Sequence, residues 1–302
     1  MSKVDFDSSK LPSVKGPISL ALGNFDGMHL GHAEVLFNCV YDASYETAIL
    51  FLKPTPEAKN THPFLSKDVL MSEMEKEIFA TNKKIEWILS CFTNEDFYEM
   101  TPDEFIENVL KPLNVKEIFC GEDYTFGRLG KGNVNLLKEH FKVNAAPLLE
   151  IDGEKISSTR IKQLIREGDV EYAKKLLGHP YQNLGIIVPG FQRGRSLGFP
   201  TANLAFQTPY VLPKIGVYYG LCYLSGIAYP SIINVGSNPT FGNHELTVEA
   251  HLIGYEGADL YGKSLYVSYY GRLRDEHAFD DEKALIEQLE IDRKNALSLL
   301  AN

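Results

Sequence analysis

The sequence predicts a Rossmann-like α/β domain on a parallel sheet, followed by an all-β barrel with a C-terminal helix, and two changes of texture carry that expectation. From residue 18 to about 178, short apolar runs alternate with helix-spaced segments, as in TAILFL at 47–52, EIFCG at 117–121 and a helix starting near Pro102. Such alternation builds a parallel sheet covered by helices on both faces. After Gly178 the chain becomes NLGIIVPG, TANLAF, GVYYGLCYL, SIINVG, LTVEAHLIGY and SLYVSYYGRL, separated by Gly, Pro, Ser and Asn turns. With almost no helical period between them, these runs read as a closed antiparallel barrel. Gly178 ends a helix and places the boundary in HPYQN at 179–183, giving domains 1–180 and 181–302. Asp280 or Asp281 caps a last helix whose Leu285, Ile286, Leu289, Ala296 and Leu297 share one face.

Composition narrows the function classes. A chain of 302 residues with 44% hydrophobic content holds enough apolar material for two cores. Its 40 acidic and 30 basic residues leave a formal charge of -10, which argues against a broad basic face for DNA or RNA. No apolar run reaches the roughly 18 residues of a membrane span. The start, MSKVDFDSSK, is too polar for a signal peptide. A cytoplasmic protein with small-molecule partners is therefore expected, with a homo-oligomer left open. Cys39, Cys91, Cys120 and Cys222 lie far apart in apolar surroundings and read as reduced, mostly buried thiols.

The segment ISLALGNFDGMHLGH at 18–32 is the first candidate site. Ile18, Leu20 and Leu22 form a buried strand, Gly23, Asn24, Asp26 and Gly27 break it into a turn, and Ala33, Val35, Leu36 and Val40 continue with helical spacing. Backbone amides at that helix start favour phosphate oxygens, and Gly31 lets a ligand approach closely. His29 and His32 beside those amides suit in-line attack on an α-phosphate with pyrophosphate leaving. The same pair also reads as ordinary polar turn residues, whereas a zinc site lacks further ligands at metal-like intervals nearby.

The second candidate is GFQRGRSLGFPTANL at 190–204. Gly190, Gly194 and Gly198 make a flexible loop with Arg193 and Arg195 as fixed positive charge. Thr201 and Asn203 project to one side of the next strand, where their oxygens can bind one Mg²⁺ between two phosphates. A basic turn before an edge strand gives the same pattern. Glu276, in RLRDEHAF at 272–279, is a candidate base for a primary alcohol attacking a γ-phosphate, or else a solvated acid before the last helix.

Six blocks now stand in order: GNFDGMHLGH (23–32), CGEDYTFG (120–127), ISSTRIK (156–162), GRSLGFPTANL (194–204), NVGSNPTFG (234–242) and LRDEHAF (273–279). On these blocks, over nearly its whole length, the chain resembles the prokaryotic bifunctional riboflavin kinase/FMN adenylyltransferase family, also called FAD synthetases. The resemblance implies a nucleotidyltransferase-type N-terminal module carrying the His-x-Gly-His signature, which adenylylates FMN, and a six-stranded C-terminal barrel that phosphorylates riboflavin. It implies that Gly23, Phe25, Asp26, Gly27, His29 and His32 bind ATP, with His29 and His32 acting in adenylyl transfer. Lys155, Ser158, Thr159 and Lys162 are implied to close over the same phosphates, and Asp123 to lie near flavin or adenine. In the barrel it implies Mg²⁺ on Thr201 and Asn203, Glu276 as base, and Gly190, Arg193, Gly194, Arg195 and Gly198 as the ATP lid.

The chain departs from the family pattern at several positions. Thr55 replaces the usual His between Pro54 and Pro56, Lys162 a typical Arg, Gly130 and Asn133 an expected Arg and Asp, and Pro189 a frequent His. These departures keep open a kinase with a weak or redox-dependent adenylyltransferase half. A non-catalytic flavin- or nucleotide-binding regulator is the reading from another class.

Overall fold

The computed structural model describes residues 2–14, 16–66, 68–190, 199–237, 246–257, 260–279 and 281–301. Its contacts group into two compact units, Met1–Ser158 and Thr159–Asn302.

The first unit begins with β1 (Ser2–Asp7), β2 (Ile18–Ala21), α1 (Leu30–Asp42), β3 (Glu46–Pro54), α2 (Pro56–Thr61) and α3 (Glu73–Asn82). It continues through β4 (Trp87–Thr93), α4 (Glu95–Glu99), α5 (Pro102–Phe105, running on as a π turn over Ile106–Leu110), β5 (Val115–Gly121), β6 (Thr125–Phe126) and β7 (Gly132–Asn133). Then come α6 (Val134–His140), β8 (Lys142–Ala146), β9 (Glu150–Ile151) and β10 (Glu154–Lys155). Six strands make one parallel sheet in the order β1-β4-β3-β2-β5-β8.

Strand alternation feeds two cores, one on each face of this sheet. Leu20, Leu50, Leu89 and Ile118 join Phe105, Ile106, Val109 and Leu110 in one. Their neighbours Ala21, Ile49, Ile88 and Phe119 join Val35, Leu36 and Cys39 of α1 in the other. Both faces of β2 are thus covered and all four of its residues are buried, which is why it reads as an unbroken apolar run. Near the amino ends of the strands, Glu117, only 1% exposed, accepts from Ser19 Oγ at 2.6 Å and Ser44 N at 2.8 Å and pairs with Lys142. Burial pushes its carboxyl pKa up, but Lys142, Ser19 and Ser44 outweigh that and leave it lowered. The carboxyl ends of β2 and β5 lie at the switch point of the strand order, where open α/β sheets bind ligands.

The second unit contains all but the first residue of α7 (Ser158–Glu167), then α8 (Val170–Leu177), β11 (Tyr181–Val188), β12 (Ala202–Ala205), β13 (Gly216–Leu224), β14 (Ile227–Ser237), β15 (Leu246–Leu252), β16 (Ser264–Arg274) and α9 (Glu282–Leu300). Its strands close into an antiparallel barrel, β11-β12-β15-β14-β13-β16. Gly178 ends α8 in the left-handed conformation at φ 78°, as its position in the sequence implies. The compact units, however, divide after Ser158 rather than at 179–183. The reason is packing: α8 lies on β16 and β11, burying Val170, Ala173, Leu176 and Leu177.

Asp281 caps α9 by accepting from Ala284 N at 2.8 Å, while Asp280 lies outside the described residues. Leu285, Ile286 and Leu289 are half-buried and Ala296 is buried, but Leu297 is 41% exposed and falls outside the expected face. The centre of that face is charged instead. Asp292, 2% exposed, receives Arg274 Nε at 3.0 and 3.1 Å and Arg274 Nη2 at 2.8 Å. The same guanidinium donates to the Asp275 carbonyl at 3.1 Å and meets His277 Nδ1 at 3.3 Å, fixing the segment that carries Glu276. Replacing Asp292 by Ala leaves the largely buried Arg274 guanidinium without its counter-charge, so a loss of roughly 2–3 kcal/mol is expected. Faster amide hydrogen exchange in β16 and α9 is the measurement that checks it.

Candidate functional site

The turn after β2 is a strained backbone held in place by burial. Phe25 (φ 50°), Gly27 (φ 82°) and Met28 (φ 44°) all lie in the left-handed region. For Phe and Met that conformation costs on the order of 1–2 kcal/mol each. Both are fully buried, and the Phe25 ring meets Phe51 edge-on at 6.2 Å and His32 at 5.3 Å. Phe25, expected among the nucleotide contacts, therefore supports the site from within the core. Asp26 is similarly enclosed at 3% exposure. Its Oδ1 accepts from Leu70 N and its carbonyl accepts from Ser158 Oγ, both at 2.8 Å.

His29 is itself the N-cap of α1. Its Nδ1 accepts from the His32 amide at 3.4 Å, and the two imidazoles stack with centroids 3.7 Å apart. The expectation of open amides at this helix start is corrected to that extent: one is occupied by the His29 ring. Gly31 has a matching reason, because a Cβ there would stand 3.3 Å from that ring. The absent side chain leaves room for that imidazole.

Burial pushes the His29 pKa down to about 4, Lys155 adds to the fall, and Asp26 and Asp123 offset part of it. His32 is pushed well down by burial, with further contributions from His29 and Lys76. Both rings are neutral at pH 7. Because His29 Nδ1 accepts a hydrogen bond, its proton sits on Nε2, which is left as a donor. His32 Nδ1 is buried without a partner among the described residues. Lys155 pairs with Asp123, and both are exposed. Ser158 thus reaches the turn, while Thr159 and Lys162 lie on α7 in the second unit.

Beside Gly23 and Asn24 opens a cavity of about 450 Å³, walled by Phe64, Tyr98, Tyr124 and Phe126. These rings come from the segments after β3, β4 and β5, so sequence spacing gives no sign that they meet. Phe64 meets Tyr98 edge-on at 6.2 Å, and Tyr124 stacks with Phe126 at 6.0 Å. Three departures from the family pattern acquire backbone reasons nearby. Thr55 caps α2, its Oγ1 accepting from Ala58 N at 3.3 Å. Asn133 caps α6, accepting from the Asn135 and Leu136 amides at 3.0 and 3.2 Å. Gly130, in the cavity wall, holds φ 64°, which an arginine there adopts only under strain.

In the barrel, register assembles the second site. Asn203 of β12 pairs with Glu249 of β15, and Glu249 with Asn234 of β14, so three polar residues stand in one cross-strand row. Thr201 Oγ1 donates to Glu249 at 3.3 Å, and Asn234 Nδ2 donates to Glu276 Oε1 at 3.3 Å. Asn203, Asn234, Glu249 and Glu276 line a cavity of about 490 Å³ together with Gly190. A Cβ on Gly190 would fall 2.1 Å from the Asn203 amide, so only glycine fits that contact. Glu249 is not singled out by the sequence because its strand alternates like any barrel strand, and Asn234, which opens the NVGSNPTFG block, carries no role there. Arg193, Gly194, Arg195 and Gly198 lie outside the described residues.

A riboflavin kinase/FMN adenylyltransferase of Bacillus subtilis is 32% identical to this chain, over 94% of it and 92% of that protein. The chain belongs to the bifunctional riboflavin kinase/FMN adenylyltransferase family. The riboflavin kinase model matches residues 177–300, and the FAD synthetase model matches 11–160. A Listeria monocytogenes member is 31% identical over 93% of this chain and 92% of its own length. A crystal structure described as a macrolide-efflux protein from Streptococcus pneumoniae superposes with a TM-score of 0.87 at 30% identity, covering 97% of both chains. Among the described residues, no helix of the present chain is long and apolar enough to cross a membrane.

The neutral His29 makes stability pH-dependent. Between its folded value of about 4 and the usual 6.5, the unfolded chain binds more protons, so stability rises with pH across that window and levels off above it. The rise due to His29 is on the order of 3 kcal/mol, and His29→Gln removes it. Denaturant unfolding of wild type and variant at pH 4.5 and 7, together with histidine NMR titration, provides the measurement.

Proposed function

We propose that the first unit transfers the adenylyl group of ATP to FMN, giving FAD and pyrophosphate, and that the barrel phosphorylates riboflavin with ATP, giving FMN and ADP. The observation that carries this reading is the presence of two separate cavities, each lined by groups suited to its own step. The family names of the relatives and of the two matching models support the assignment of step to unit.

In the adenylyl step, an FMN phosphate oxygen attacks the α-phosphorus and the bond to the bridging β-oxygen breaks. A phosphate needs no base to become nucleophilic. His29 Nε2–H and His32 donate to oxygens where charge builds up, and being neutral, with His29 buried and His32 half-buried, they need little solvent reorganisation to do so. Lys155 and Ser158 act on the triphosphate, Asp123 holding Lys155 in place. The aromatic cavity takes the isoalloxazine ring, which offers two flat faces for stacking.

In the kinase step, Glu276 accepts the proton of the riboflavin primary hydroxyl as its oxygen attacks the γ-phosphorus and ADP leaves. Asn234 orients that carboxylate by donating to it, and Arg274 fixes its segment through the Asp275 carbonyl. Thr201, Asn203 and Glu249 offer only oxygen donors toward a cation, a set that fits Mg²⁺ shared with phosphates. Those residues would hold the ion, which when bound would offset negative charge on the phosphates. A cytoplasmic location suits these soluble substrates.

Pure protein given riboflavin, ATP and Mg²⁺ in air is expected to yield FMN and then FAD on chromatography. Absence of FMN removes the kinase assignment, and FMN without FAD removes the adenylyltransferase one. Glu276→Gln lowers kcat for FMN formation by ~100-fold or more while FAD formation from FMN stays within about twofold. His29→Asn does the converse, with a ~100-fold loss confined to FAD formation.

A further inference from the structure

Lys76 is a buried cation that neither step has used. It lies on α3 at 6% exposure, and its ammonium donates to Glu73 Oε1 at 2.8 Å. Glu73 is its one partner among the described residues. An ammonium has three N–H donors, and burying one with a single hydrogen bond is costly. Lys76 nevertheless lines the aromatic cavity. Its charge is also one of the causes that keep His32 neutral, so it lies within electrostatic reach of that ring.

The surrounding polar atoms are unsatisfied in the same way. In the first unit, the buried side-chain atoms without a hydrogen-bond partner among the described residues are His32 Nδ1, His62 Nε2 and Glu73 Oε2, with His62 Nε2 standing 3.9 Å from Glu99 Oε1. His62 lines the cavity, Glu73 holds Lys76, and His32 feels Lys76's charge. Lys155, in contrast, is exposed, paired with Asp123, and acts on His29.

We propose that Lys76 receives the phosphate monoester of the acceptor flavin and holds that dianion beside His32 as it attacks. The inference rests on reading the aromatic cavity as the FMN site. In the step itself an acceptor oxygen bonds to the α-phosphorus, the α–β bridging bond breaks, and its electron pair leaves with pyrophosphate. Lys76 neither gives nor takes a proton. Its positive charge offsets the repulsion between two phosphate groups brought within a few ångströms in a low-dielectric wall. It also makes the cavity selective, because a flavin without the phosphate leaves the buried ammonium with Glu73 alone.

The test uses the full chain and FAD formation with FMN and ATP varied separately, with lumiflavin, which has neither ribityl chain nor phosphate, as a competitive inhibitor. Lys76→Met is expected to raise KM for FMN roughly 10- to 100-fold, the worth of one charge-assisted hydrogen bond. KM for ATP and Ki for lumiflavin stay within about twofold of wild type, and Lys76→Arg restores most of the FMN affinity. Should Lys76→Met fail to fold, Lys76→Gln carries the same expectation. An unchanged KM for FMN, an equal rise in KM for ATP, or a parallel loss of lumiflavin binding overturns the proposal. A wild type that forms FAD while Lys76→Met matches it sinks only the role of Lys76; a wild type that forms none sinks the FMN site with it.

Discussion

The backbone hydrogen bonds that pair β2 with β3 and β5 in the first unit, and β15 with β12 and β14 in the second, hold each unit together internally and also choose which residues meet. Parallel pairing sends every strand of the first sheet in one direction, so the segments after β2, β3, β4 and β5 all emerge at the carboxyl edge. The Gly23–Asp26 turn, Phe64, Tyr98 and Asp123, scattered over a hundred residues of chain, gather there for that reason. In the barrel, antiparallel register brings Asn203, Glu249 and Asn234 side by side. A slip of one residue in either pairing would turn those side chains to the opposite face.

Burial then sets the chemistry of the groups so placed. His29 and His32 are kept neutral because the water that would stabilise their charged forms is excluded. Glu117, near the amino ends of the same strands, stays ionised under comparable enclosure because Lys142, Ser19 and Ser44 replace its solvation. Desolvation is common to the three groups, and the presence of a partner decides its outcome. Asp292 and Arg274 form a hydrogen-bonded ion pair that acts as a positional constraint on the Glu276 segment.

The family departures show how local backbone demands coexist with a site. Thr55 and Asn133 cap short helices with side-chain oxygens, a task within reach of many polar residues. Gly130 meets a positive φ at the cavity wall. Left-handed Phe25 and Met28 run the other way, since their side chains are retained despite the strain because the core needs them. Packing on one side of the turn thus supports the geometry that the histidine pair needs on the other.

Much of the architecture was legible in the sequence. The switch from mixed to purely strand-like periodicity, the Gly178 stop and the Asp281 cap are local signals, set by a few neighbouring residues. The two phosphate-type motifs, at 23–32 and around Thr201 and Asn203, are legible for the same reason. Tertiary structure alone decided the aromatic cavity, the Glu249–Asn234 row, the buried Lys76 and the placing of Asp292 on the apolar face of α9. It also decided that Leu297 faces outward and that Phe25 is core. Each depends on contacts between residues far apart in sequence or on the accessibility left after packing. Hydrophobic periodicity records which face a residue prefers, but not which distant partner makes a charge tolerable there.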